Sequence, residues 1–451
     1  MKNGIQTTIY LESLGCSKNL VDSEMMLGIL QHHRFALVED PACAEVIIVN
    51  TCGFIESAKE ESINTILALA EYKKAGSCRW LLATGCLTEK YKEELLAAMP
   101  ELDGALGTSE YHHIASLLSR LLQPQAAPVE IPKDLESCYV ERKLITPSHL
   151  AYLKIAEGCS NHCTYCLIPE LRGSLKSRSK KSLLAEAELL VAKGVKELVV
   201  IAQDTTAYGL DIKGESLLAE LLKELAVLPF TWIRLMYCYP GRIDEKLLAV
   251  MAANPNICHY LDMPLQHVNN EILRAMGRRD TKATILEKIN LIKKWLPDVA
   301  LRTTFMVGFP GETKKQFDEL LDFVKEGHFT WVGAFAYSKE DDTPAALLLP
   351  QVTKATKKKR YDVLMAVLAE LSAQQQQKWL GQSVLVLLEG PAPDMQGWWQ
   401  GRMASQATEV DGGVFVKETP GLKPGDFIKI KINAADIYDV FGEVEKDEFT
   451  N

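Results

Sequence analysis

Short, almost continuously apolar segments, each followed by a helical pattern, recur through the first three quarters of the chain, and that alternation admits few folds. In the opening part, Thr8–Leu14, Glu45–Asn50 (EVIIVN) and Trp80–Thr84 read as strands. Helices are predicted over about Asp22–His33, with Asp22 or Ser23 as its cap, and over Glu56–Lys74 and Thr88–Met99. Strands apolar on both faces are buried on both sides, and the intervening helices supply the cover. Residues 5–122 are therefore predicted to form an open parallel α/β domain.

Residues 123–146 read as a linker, because Gln123–Pro147 holds four prolines and no clear periodicity. The alternation then resumes over residues 147–375. Six strands are predicted: Tyr152–Ala156, Glu197–Ala202, Trp232–Tyr237, Tyr260–Met263, Leu301–Val307 and Val332–Tyr337. Five helices intervene: Lys181–Ala192, Ser216–Leu228, Glu245–Ala253, Thr281–Leu296 and Lys314–Glu326. This is the pattern of a (β/α)6-type barrel, with a long helix, Lys354–Lys378, leading out of it. Residues 377–447 change character: Val384–Glu389, Gly413–Lys417 and Phe427–Ile432 are short strands set among turn residues, as in a small antiparallel, OB-like β-barrel. No apolar run reaches the ~18 residues that span a bilayer, and no signal-peptide core precedes the first strand. A cytoplasmic protein with no membrane partner is expected.

Eleven cysteines in such a chain point to metal ligation or catalysis rather than to a disulfide framework. Cys159, Cys163 and Cys166 fall within eight residues just after the first barrel strand. Three thiolates so spaced can bind three irons of a cubane and leave the fourth without a protein ligand. A structural zinc site wants four closed ligands, usually two pairs, and His162 is poorly placed beside Cys163. Cys16, Cys52 and Cys86 are far apart in sequence but alike in setting (SLGC, NTCG and ATGC), each at the C-terminal end of a predicted parallel strand. Ligands gather at that edge of an open α/β sheet, so these three could hold a second cluster. Cys43, Cys78, Cys138, Cys238 and Cys258 lack such a setting and read as structural.

The CxxxCxxC loop, with Tyr165 before its last cysteine, resembles the radical S-adenosylmethionine superfamily. The resemblance implies a 4Fe-4S cluster whose open iron is chelated by S-adenosylmethionine, and reductive cleavage of that cofactor to a 5′-deoxyadenosyl radical. Barrel ligands sit at C-terminal strand ends, so the cofactor-binding candidates, with Tyr165, are Gln203 and Asp204, Gln266 and His267, Arg302, and the Gly308–Glu312 turn. Gly308 would let backbone approach the cofactor closely.

With its three further cysteines and its C-terminal β-barrel of TRAM type, nearly the whole chain resembles the methylthiotransferases. That resemblance implies two 4Fe-4S clusters, one handling the sulfur, and a second S-adenosylmethionine that supplies the methyl group. It also implies a reductant such as flavodoxin or ferredoxin and a sulfur donor as partners. The stretches Ser13–Glu24, Asn50–Ala58, Ala202–Gly209 and Tyr260–His267 resemble the protein-modifying branch. The implied substrate is the twelfth protein of the small ribosomal subunit, modified at an aspartate β-carbon. The alternatives are transfer RNA adenosine and, in another class, a non-catalytic iron–sulfur carrier, which would have no need of such a barrel. Ser17 stands where the protein-modifying branch usually has Pro, and Arg402–Gly412 keeps Glu409, Asp411 and Gly412 of an expected acidic pattern. From Gln377 to Asn451 there are 12 acidic residues against 7 basic ones. A module gripping transfer RNA is ordinarily basic, whereas an acidic one suits a basic ribosomal protein. The run Lys357–Arg360 is the candidate RNA contact on the other side.

Overall fold

The computed structural model describes residues 6–122 and 142–445. Cys138 and most of the predicted linker lie outside them. The first domain is a five-stranded sheet in the order Ala36–Leu37, Thr8–Ser13, Val46–Thr51, Trp80–Gly85, Gly104–Leu106. Every pairing in it is parallel. The two outermost strands were not legible in the sequence, being too short to show any periodicity. The first helix, Ser17–His32, starts earlier than the predicted Asp22, and its N-cap is Cys16. Asp22 and Ser23 are not caps: both are buried inside the helix and take polar partners outside it.

The central sheet has six parallel strands in the order Trp331–Ala336, Ala300–Val307, Ile257–Asp262, Trp232–Leu235, Glu197–Ile201, Leu150–Lys154. It curls without closing, since its first and last strands do not pair with each other. Alternation sorts the side chains: Leu301, Phe305 and Val307 pack against the helix layer. Ala300, Trp232, Tyr260 and Trp331 fill the inner face together with Ile9, Met25 and Leu30 of the first domain and Leu387 and Ala407 of the last. One apolar core thus joins all three domains.

After the long helix Lys354–Gln377, five strands close into a small barrel: Ser383–Pro391, Trp398–Arg402, Val414–Lys417, Phe427–Ala435 and Val440–Val444. The expectation of a purely antiparallel barrel needs one correction, because Val414–Lys417 pairs in parallel with Val440–Val444. The other four pairings are antiparallel. Among the described residues, no helix is long and apolar enough to cross a membrane.

Buried charge fixes the last domain to the barrel. Glu197 is wholly buried and accepts from Arg234 Nε at 2.7 Å and Arg402 Nη2 at 2.5 Å. Burial alone would raise its carboxyl pKa, but the Arg402 and Arg234 guanidinium groups outweigh it and hold the value at about 2. A free glutamate titrates near 4.3, so this stabilisation is complete above about pH 4 and withdrawn as pH falls towards 2. Glu197→Gln leaves two buried cations short of a partner and is expected to cost about 3–5 kcal/mol at neutral pH. Thermal denaturation across pH should show a shallower acid limb for this variant than for the parent.

Candidate functional site

Cys16 and Cys52 lie in the turns that follow Thr8–Ser13 and Val46–Thr51, Cys86 opens the helix that directly follows Trp80–Gly85, and glycines bring the three together. Gly15 has φ +87°, and a Cβ there would stand 3.1 Å from Cys52 Sγ. Gly85, at φ +100°, packs so closely that a Cβ would lie 2.4 Å from Thr51 O. Only glycine fits such positions without strain. Asn19 ties the three turns to one another: its Nδ2 donates to Leu14 O and Thr51 O, each at 2.9 Å, and its Oδ1 lies 3.8 Å from Cys86 Sγ.

Cys16 is solvent-accessible yet crowded by protein atoms. Desolvation opposes its ionisation, but the Lys18 and Arg172 cations and backbone N–H groups at the start of its helix prevail and lower its pKa. Burial raises the thiol of Cys52, and raises that of Cys86 to about 11. These last two stay protonated near neutral pH until a metal displaces the proton.

The second loop is braced from three sides. Gly158, at φ +74°, lies where a Cβ would meet Ser174 O at 2.2 Å, and Cys159 N donates to Gly173 O at 3.1 Å. Thr164 N donates to Met276 O at 3.0 Å. Asn161 Nδ2 donates to Asp204 Oδ2 at 2.7 Å, and Arg242 binds both residues. Burial pushes up the thiols of Cys159 and Cys166, the latter to about 12. Tyr165 lies beside Cys163 and packs on the Phe309–Tyr337 cluster. His162, weighed as a fourth zinc ligand, is exposed. Among the described residues no three His, Cys, Asp or Glu side chains close around a single metal ion. The fit of a cluster therefore rests on soft sulfur donors in two separate sets of three.

The two sets share a wall. Helix Ile168–Arg172 begins two residues after Cys166, and its Leu171, with Leu167, packs directly on Cys86. Arg172 then reaches back into the first domain, donating to Asn19 Oδ1 at 2.7 Å and Asp22 Oδ2 at 3.0 Å, and to Glu157 Oε1 at 3.0 Å beside its own loop. Lys154 completes the group by pairing with both Asp22 and Glu157. The sequence marks neither Arg172 nor Asn19 individually, and it marks Asp22 only as a helix cap. Only their nearness to Cys166 and Cys16 ties them to the site, and no spacing rule links residues some 150 positions apart.

These are the parts of a known family. Residues 8–107 match the uncharacterized protein family UPF0004, residues 153–324 the radical SAM superfamily and residues 380–444 the TRAM domain. The ribosomal protein uS12 methylthiotransferase RimO of Clostridioides difficile is 49% identical over 440 residues, covering 97% of this chain and 98% of its own. The one from Desulforamulus reducens is 47% identical over 441 residues, covering 97% and 99%. The chain belongs to the ribosomal protein uS12 methylthiotransferase family. Solved structures extend the likeness in fold alone. The radical S-adenosylmethionine methyltransferase TsrM from Kitasatospora setae, with cobalamin and a 4Fe-4S cluster bound, superposes with a TM-score of 0.56 at 15% identity, covering 76% of this chain and 77% of that one. The cobalamin-dependent radical enzyme OxsB gives 0.51 at 11% identity, covering 80% and 56%.

In this uS12 methylthiotransferase family member the cofactor candidates divide. Gln203 and Gln266 follow barrel strands at their C-terminal ends, and each keeps a buried Oε1 with no hydrogen-bond partner among the described residues. Gln203 Nε2 donates to Glu157, next to the cysteine loop, and Gln266 is held at φ +71° by backbone bonds to Thr304 O (2.9 Å) and Met306 N (2.7 Å). Two orphaned acceptors suit a cofactor that carries an ammonium group. Gly308, Glu312 and Arg302 have other work. A Cβ at Gly308 would meet the stem of Lys357 at 2.4 Å. Glu312 accepts from Gly308 N at 2.6 Å and Arg360 Nη1 at 2.9 Å, so it closes its own turn against the long helix. Arg302 lies five residues, about 16 Å, short of its strand's C-terminal end. It tethers the TRAM barrel through Asp411 (3.2 Å) while pairing with Asp262 (3.0 Å). Charged residues inside a barrel are thus not a reliable sign of its catalytic face.

Proposed function

We propose that this enzyme is a radical S-adenosylmethionine methylthiotransferase that attaches a methylthio group to the β-carbon of an aspartate in ribosomal protein uS12. The observation that carries this reading is the shared wall: Cys86 of one cysteine set packs on the residues that directly follow Cys166 of the other. Cys16, Cys52 and Cys86 would hold one 4Fe-4S cluster and Cys159, Cys163 and Cys166 the second, and Gln203 and Gln266, with Tyr165 nearby, would receive S-adenosylmethionine. When bound, these groups supply the carbon radical and the methylated sulfur.

The chain's own residues position and seal. Asn161, Asp204 and Arg242 fix the radical-forming loop. Arg172 keeps that loop in register with the sulfur-handling turns, and Leu167 and Leu171 exclude water between them. The acidic TRAM segment favours a basic protein as substrate. The basic run offers little to RNA: Lys357 donates to Tyr337 O at 2.8 Å, Lys358 pairs with Asp362 at 2.9 Å and Arg360 with Glu312 at 2.9 Å. A reductant such as flavodoxin or ferredoxin and a sulfur donor complete the reaction, in the cytoplasm.

The test is mass spectrometry of uS12 and of transfer RNA from a strain lacking this gene, before and after complementation. A methylthio mass that returns on uS12 alone supports the reading. Its return on transfer RNA adenosine instead would replace it.

A further inference from the structure

Lys18 is a buried cation with no carboxylate partner among the described residues. Its side chain is only 7% exposed. The neighbouring buried cations are paired: Arg172 and Lys154 each bind both Asp22 and Glu157. What Lys18 has is an aromatic floor. Its ammonium sits 3.2 Å above the centroid of the Tyr237 ring, a contact that substitutes partly for lost hydration.

That floor is held in a costly conformation. Tyr237 adopts φ +59° just past the end of strand Trp232–Leu235, in a region that a side chain with a Cβ rarely occupies. Its carbonyl accepts from Thr205 N at 3.0 Å, its N–H donates to Asp262 Oδ2 at 3.2 Å, and its hydroxyl lies 3.3 Å from Ser17 Oγ. The barrel mouth and the Cys16 turn therefore meet at this pair, two residues from one candidate cluster ligand.

A buried ammonium that lacks a carboxylate partner is stabilised when one arrives, and until then by a substitute close at hand. We propose that Lys18 receives the side-chain carboxylate of the substrate aspartate, fixing the adjacent β-carbon for attack, and that Tyr237 holds the ammonium in place when substrate is absent. This rests on the reading that the substrate is an aspartate of uS12. A charge-assisted hydrogen bond from an ammonium to a carboxylate gives the required discrimination, since an asparagine amide offers no negative charge.

The experiment uses the full-length, anaerobically reconstituted enzyme and two labelled peptides that copy the target loop of uS12, one with the native aspartate and one with asparagine there. Fluorescence anisotropy should show the parent preferring the aspartate peptide by at least about tenfold, about 1.4 kcal/mol. Lys18→Gln should lose that preference and Lys18→Arg should retain part of it, with iron content and near-ultraviolet circular dichroism unaltered in both. A Lys18→Gln enzyme that still prefers aspartate overturns the assignment. So does one that loses iron, which would make Lys18 a support for the Cys16 thiolate. So does one whose S-adenosylmethionine affinity, read by equilibrium dialysis, falls instead. Failure of the parent enzyme to bind either peptide would overturn the uS12 reading, and this assignment with it.

Discussion

Replacing Cys159, Cys163 and Cys166 together by Ala is expected to cut bound iron from about eight to about four per chain and to abolish cleavage of S-adenosylmethionine. The two sets of cysteines are carried by different domains, each braced by its own hydrogen bonds, so the first should still assemble when the second is gone. The converse variant, with Cys16, Cys52 and Cys86 all changed to Ala, should also keep about four irons. It should still release 5′-deoxyadenosine while transferring no sulfur. Iron and sulfide analysis, with chromatography of the cleaved nucleoside, separates the two. If the second variant folds but no longer cleaves the cofactor, the division of labour between the sets is wrong. If the parent with both clusters intact cleaves none, the chain is an iron–sulfur carrier.

Changing Arg172 to Met should destabilise the protein by about 3–5 kcal/mol, the ordinary consequence of removing one member of a buried ionic group. Asp22 would keep only Lys154 as partner, and Lys154 is already shared with Glu157. The functional effect should exceed what lost stability explains. Arg172 is the side chain that spans from the turn behind Cys166 to Asn19 among the other three cysteines, so its loss frees the two sets to shift relative to one another. Misplacement by about 1 Å can cost about 100-fold in rate, and a drop of that order in methylthio transfer is expected below the melting transition. Arg172→Lys restores the charge but not the planar fork that reaches Asn19, Asp22 and Glu157 at once. It should recover stability more than rate. Equal turnover in the parent and Arg172→Met enzymes would remove this residue from any positioning role.

The placement of Cys16, Cys52 and Cys86 at one edge of the sheet is legible because apolar runs such as EVIIVN mark where a buried strand ends. The structure adds what holds them. Glycine at positive φ before Cys16 and Cys86 could have been guessed from the GC pairs; Asn19, Asp22 and Arg172 could not, because their partners lie across a domain boundary. The cap at Cys16 was missed because Ser17–Val21 begins with polar residues that read as loop, although they face Arg172 and Tyr237. Strand position alone points to Arg302, Gly308 and Glu312, but the TRAM barrel and the long helix take up their polar groups or fill the space beside them. The parallel pairing inside the TRAM barrel has no local signature, since it joins strands separated by a third.

Three domains drawn around one apolar layer have a consequence for how a ribosomal protein gains admission. Swinging the first domain and the TRAM barrel away would uncover Met25, Leu30, Trp232, Tyr260 and Leu387, at about 1.5–3 kcal/mol for each large side chain wetted. A hinge of that kind is too expensive to open at every turnover. The three domains are therefore expected to stay closed upon one another while a protein substrate comes and goes.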